Sequence, residues 1–248
     1  MKKLMAVLMA LVLAVGMVFT AVAEEESQPI TCEIVEGSYV ITVPVEEGDE
    51  NWAADEMAQD DSVVRLASAE YTDGKFVVTY APVADGQVTV YVRHLNGVAC
   101  DQLHGFDLKV EGGKVTESTG GSYTASPSDE EMEEAFVGEW LEKDTQFNTL
   151  TITRNETAGF DFEMVSPISH DACLLKGTVL YDCELDCFVT TDAQMFNLPV
   201  EDGAEPELAA PVVGCRIMPI ENEEGGIELA LAWYAEELGD DQEIVFVK

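Results

Sequence analysis

One stretch limits the fold more than any other. Residues 136–165 read FVGEWLEKDTQFNTLTITRNETAGFDFEMV, and from there to the C-terminus apolar residues return at every second position within short runs. That period places alternate side chains on opposite faces of a strand, whereas an amphipathic helix repeats at three and four. Gly138 allows a sharp bend just before the first strand, and the Trp140 indole is large enough to plug the open end of a small barrel. Successive hairpins are expected over 147–153 with 160–165 and over 173–181 with 186–191. Strands over 212–220, 227–234 and 243–247 then complete an up-and-down meander barrel across 135–248.

The N-terminal part carries its own strand pattern. Residues 38–45 (SYVITVPV) are rich in β-branched side chains, with Pro44 near a sheet edge. Asp73-Gly74 and Ala84-Asp85-Gly86 are hairpin signals, and Phe106, Leu108 and Val110 alternate with Asp107 and Lys109. Six or seven such strands over 28–115 predict an immunoglobulin-like sandwich. The acidic insertion GDENWAADEMAQDD interrupts them as a helix or loop. Residues 116–134, TESTGGSYTASPSDEEMEE, show no apolar period and read as an acidic linker, with Ser128 or Asp129 capping a short helix.

Compartment follows from the first residues. Lys2 and Lys3, an apolar run over 4–19, and the small pair Ala21 and Ala23 before Glu24-Glu25-Glu26 predict a signal peptide over 1–23, hence a secreted protein. No Cys stands at the cleavage point, which argues against a lipoprotein. The formal charge is −37, and removing Lys2 and Lys3 takes it to −39. Such an excess of acid argues against nucleic acid and anionic membrane as partners, because both are bound through Lys and Arg.

Six cysteines remain in the expected mature chain. An even number in an exported protein predicts disulfides, and Cys32 with Cys100 is the expected pair of the first unit. Cys173, Cys183, Cys187 and Cys215 have no assigned pairing. They lack the tight Cys-x2-Cys spacing of zinc knuckles, so no metal is expected.

Motifs for catalysis are missing. There is no Gly-x-Ser-x-Gly, His-Glu-x-x-His, phosphate loop or dinucleotide fingerprint, and the acidic stretch 49–61 lacks the central Gly of a calcium loop. His94 and His104 flank Cys100, and both read more readily as hydrogen-bonded loop residues than as catalytic ones. Trp140 and Trp233 fall within strand patterns and are expected in the core, while Trp52 lies between acids and is expected at the surface.

The turn Gly177-Thr-Val-Leu-Tyr181-Asp182, together with Gly138-Glu139-Trp140 and the final Val245-Phe246-Val247, resembles lipocalin-like domains of exported proteins from anaerobic Gram-positive bacteria. The resemblance implies a barrel and no particular ligand. Gly48-Asp-Glu-Asn-Trp52 and Gly86-Gln-Val-Thr-Val-Tyr91, running into Arg93-His94-Leu95-Asn96, are faintly similar to chagasin-type inhibitors of papain-like proteases, without their Asn-Pro-Thr-Thr-Gly loop. That likeness implies recognition through Trp52, Arg93, His94 and Asn96. The expectation is therefore a secreted, acidic, all-β binding or surface module that is not an enzyme and needs no cofactor. Its partner would be a small molecule, a glycan or a protein. The alternatives are a cysteine-protease inhibitor and an extracellular hydrolase with unrecognised carboxylates.

Overall fold

Tight turns set the register of the N-terminal strands. Glu36-Gly37, Asp73-Gly74 and Gly112-Gly113 all take positive φ, the geometry whose twist matches that of flanking antiparallel strands. The structure is a computed structural model that describes residues 29–54, 62–156, 159–167, 173–190, 192–198, 205–234 and 242–248. The expected signal segment, the acidic residues 55–61 and His170 lie outside the described residues.

The strands of the first unit are β1 (Thr31–Val35), β2 (Ser38–Pro44), β3 (Trp52–Ala54), β4 (Val64–Thr72), β5 (Lys75–Pro82), β6 (Gly86–Asn96), β7 (Ala99–Glu111) and β8 (Lys114–Ala125). They form two four-stranded sheets in the orders β1-β2-β5-β4 and β3-β6-β7-β8. This is the strand order of a constant-type immunoglobulin sandwich, with β8 added at one edge. Ile41 and Val43 of β2 and Val78 and Tyr80 of β5 meet Val90 and Val92 of β6 and Leu108 of β7 in one buried cluster.

Two expectations need correction here. Residues 116–125 are not linker: β8 continues to Ala125 and pairs with β7 along that length, from Lys109↔Glu117 to Gln102↔Ala125. Beyond the buried Val115 this edge strand is wet on both faces, so it carries no apolar alternation to read. Residues 52–54 of the acidic insertion likewise form a strand, β3, held against β6.

Only residues 126–128 separate β8 from α1 (Asp129–Phe136). Ser128 caps this helix: its Oγ accepts from the Glu131 N–H at 3.3 Å, and the Glu131 carboxylate accepts from the Ser128 N–H at 2.9 Å. This reciprocal pair satisfies two N–H groups that the helix start leaves open. Three acids in the first turn sit at the positive end of the helix. Met132 and Phe136 form its buried face.

After α1 come β9 (Gly138–Glu142), β10 (Thr149–Arg154), β11 (Phe160–Ser166), β12 (Cys173–Asp182), β13 (Cys187–Thr190), β14 (Gln194–Asn197), β15 (Glu207–Pro211), β16 (Gly214–Glu221), β17 (Ile227–Tyr234) and β18 (Gln242–Val247). Eight of them close a barrel in the order β9-β10-β11-β12-β13-β16-β17-β18, with β18 returning to β9. The hairpin β14–β15 attaches to β12 beside it. Eight strands leave an interior that side chains can just fill. Trp140, Leu150, Ile152, Phe162, Leu175 and Phe188 are among those that do so here. Trp140 is 1% exposed, and its Nε1–H donates to the Phe136 carbonyl at 2.9 Å. Met132 and Phe136 of α1 belong to the same buried cluster, so the helix and the indole pack together on the barrel core.

Candidate functional site

The inner face of β6 is buried at Val88, Val90 and Val92 and grows more exposed toward the β6–β7 turn. Strand register decides what stands there. Ala54 opposes Val92 and Trp52 opposes His94. Val92 opposes His104, and His104 opposes Tyr123. Directly opposed residues in an antiparallel sheet share a face, so Trp52, His94, His104 and Tyr123 form one row that continues the core outward. Ring centroids are 5.2 Å apart for Trp52 and His94, 5.8 Å for Trp52 and His104, and 4.7 Å for His104 and Tyr123. Tyr123 ends the row at 61% exposure.

Neighbouring elements hold the row in place. The Tyr71 hydroxyl accepts from the Trp52 N–H at 2.6 Å and donates to the Trp52 carbonyl at 2.8 Å, tying β3 to the first sheet. Asp101 Oδ1 lies 2.7 Å from His94 Nδ1, and Asp49 Oδ1 lies 3.3 Å from His94 Nε2. With a carboxylate on each ring nitrogen, His94 offers neither to a substrate and acts as a clasp for the segment before β3. Burial holds the His104 imidazole below its ordinary range, so this member of the row is neutral at pH 7.

A groove of about 270 Å³ adjoins Tyr123, where the sandwich meets the barrel. Asn96, Asp101 and Gln102 line it from the sandwich, and Met132, Leu180 and Tyr181 from the other side. Two larger depressions lie on sheet faces elsewhere, around Thr89 and Asp107 and around Thr178 and Asp192. Their polar groups largely bond one another, as Thr89 Oγ1 does to Asp107 Oδ1 at 2.7 Å and Thr178 N to Asp192 Oδ1 at 2.8 Å. Of these three, the junction groove is the one that combines an exposed ring, Tyr123, with hydrogen-bonding side chains.

The residues expected from sequence separate accordingly. Trp52 and His94 come together in the row, with Trp52 half-buried rather than standing free at the surface. Asn96 lines the groove. Arg93 points the other way, because strand neighbours alternate faces, and donates to Glu184 of the barrel at 2.8 Å. His104 and Tyr123 were the residues missed. From sequence His104 reads as a loop residue and Tyr123 as linker, because β8 around Tyr123 is exposed and carries no apolar alternation.

The expected Cys32–Cys100 bridge is not formed, and no disulfide occurs among the described residues. Cys32 on β1 contacts Tyr39, whose hydroxyl accepts from Ser118 at 2.7 Å. Ser118 opposes Leu108 on β7. Cys100 lies eight residues back along β7, which at the strand rise is roughly 26 Å away. A bridge cannot span that distance.

No family model, curated protein or solved structure matches the chain.

Proposed function

We propose that this chain is an exported glycan-binding protein whose sandwich carries the recognition surface and whose barrel is a scaffold. The ring row ending at exposed Tyr123, beside the groove with Asn96, Asp101 and Gln102, is the observation that carries this reading. A pyranose presents an apolar C–H face that packs on an aromatic ring. Its hydroxyls both donate and accept, as carboxylate and amide side chains require. The strongly acidic charge favours neutral or basic sugars over anionic ones. Buried apolar side chains fill the core of the second unit, which favours the sandwich as the recognition surface, and both nitrogens of His94 are occupied, so binding is the better reading than catalysis. Cysteine-protease inhibition has less support: Arg93, which the likeness to inhibitors offers to a protease, is engaged by Glu184.

The test is titration of the purified chain with a panel of neutral and amino-sugar oligosaccharides. Tryptophan fluorescence is the readout, because Trp52 stands in the row while Trp140 and Trp233 are buried in the barrel. A saturable change with at least one sugar, weakened tenfold or more in Tyr123→Ala at unchanged Tm, is expected. Absence of any change up to millimolar sugar, or equal binding by Tyr123→Ala, overturns the proposal.

A further inference from the structure

Cys100 is the second residue of β7 in the sandwich, and Cys183 sits in the turn between β12 and β13 of the barrel. Their Sγ atoms are 3.8 Å apart. The Cys183 N–H donates to the Cys100 carbonyl at 2.8 Å, which with standard backbone bond lengths keeps the Cα atoms within about 6.7 Å of each other, inside the span a disulfide allows. The turn itself is held firmly. Asp182 accepts from the Cys100 N–H at 3.1 Å through Oδ2 and from the N–H groups of Glu184 and Leu185, both at 2.9 Å, through Oδ1. Arg93 reaches Glu184 beside it. Gly97, in the β6–β7 turn, lies so close to Leu180 that an added Cβ would come within 3.3 Å of Cδ1.

We propose that Cys100 and Cys183 are the disulfide-forming pair of this protein, joined by exchange with a low-molecular-weight disulfide to fasten the barrel to the sandwich. Two thiols in van der Waals contact on hydrogen-bonded backbones need less than about 2 Å of sulfur movement to reach bonding distance. The Cys183 thiolate attacks one sulfur of the oxidant RSSR, forming a mixed disulfide and releasing RS⁻. Cys100 then loses its proton and attacks the Cys183 sulfur, expelling the second RS⁻. The two released thiolates take up the two protons, so that two thiols and RSSR become one protein disulfide and two RSH. The contact with Cys100 holds the Cys183 thiol below its ordinary range, while the same contact, burial and the charge of Asp182 push Cys100 up. That order of acidity suits Cys183 as the first attacker. The cysteines are 83 positions apart in sequence, so the bond would constrain the unfolded chain strongly.

Peptide mapping of the full chain, equilibrated with glutathione and its disulfide and then alkylated, tests this directly. A linked peptide joining Cys100 to Cys183 is expected, together with a Tm about 5 to 15 °C above that of the reduced protein. Cys183→Ala should lose both the linked peptide and the dependence of Tm on reductant, whereas Cys32→Ala should keep both. If Cys183→Ala does not fold, the map of the unaltered chain still decides. Recovery of Cys100 and Cys183 as alkylated thiols after oxidation, or of Cys100 bridged to another cysteine, overturns the pairing. A bridge that leaves Tm unchanged overturns the fastening role. None of these outcomes depends on a sugar being bound.

Discussion

Gly105 and Gly121 meet backbone to backbone across β7 and β8: a Cβ added to Gly121 would lie 1.3 Å from the Gly105 carbonyl oxygen. They sit inside the irregularity between the pairs His104↔Tyr123 and Phe106↔Gly120, where β8 carries one residue more than β7. Such a bulge re-aims the strand beyond it, and the residue beyond it here is Tyr123.

Gly121→Ala is therefore expected to destabilise the protein by about 2 kcal/mol or more, since the obstacle is main chain and no side chain can swing aside. Gly214→Ala in β16 is the control. An added Cβ there meets nothing within 4 Å, and its effect should stay within about 0.5 kcal/mol. Urea unfolding of the two variants compares them, and equal midpoints would refute the close approach.

His104 should make stability fall in mild acid. Burial lowers its folded pKa below the ordinary 6.5, so below that pH the unfolded chain binds the proton more readily. Stability is then lost as pH drops from 6.5 toward the folded value, and the effect is absent above 6.5. Urea midpoints between pH 7.5 and 5 should fall more for the unaltered chain than for His104→Gln. An NMR titration placing the His104 midpoint at or above 6.5 would contradict this.

Phe136 bears on the barrel in two ways. Its ring meets Phe188 edge-on at 5.0 Å, and its carbonyl accepts from the Trp140 indole. Phe136→Ala should cost about 3 to 5 kcal/mol through lost burial and the cavity left behind, measured by denaturant unfolding. A loss below about 1 kcal/mol would mean that α1 is peripheral to the barrel core.

Much of this architecture is present in local pattern alone. The run Tyr39, Ile41, Val43 alternates on β2, and Asp73-Gly74 fixes a hairpin whatever surrounds it, because period and positive φ are properties of a few adjacent residues. Ser128 with Glu131 states the start of α1 in four residues. The sequence by itself therefore determined that the chain is all-β, where most strands lie, and that Trp140 belongs to a core.

Tertiary structure decided the rest. Whether residues 116–125 form a strand depended on β7 offering them a partner, since their own side chains bury almost nothing. Trp52 and His94 share a face with His104 and Tyr123, and Arg93 does not, because pairing register sorts neighbours by parity. Cys100 finds Cys183 rather than Cys32 because the β6–β7 turn docks on the turn after β12. Long-range pairings of this kind are set by how whole sheets pack, and the spacing of residues along the chain carries no record of them.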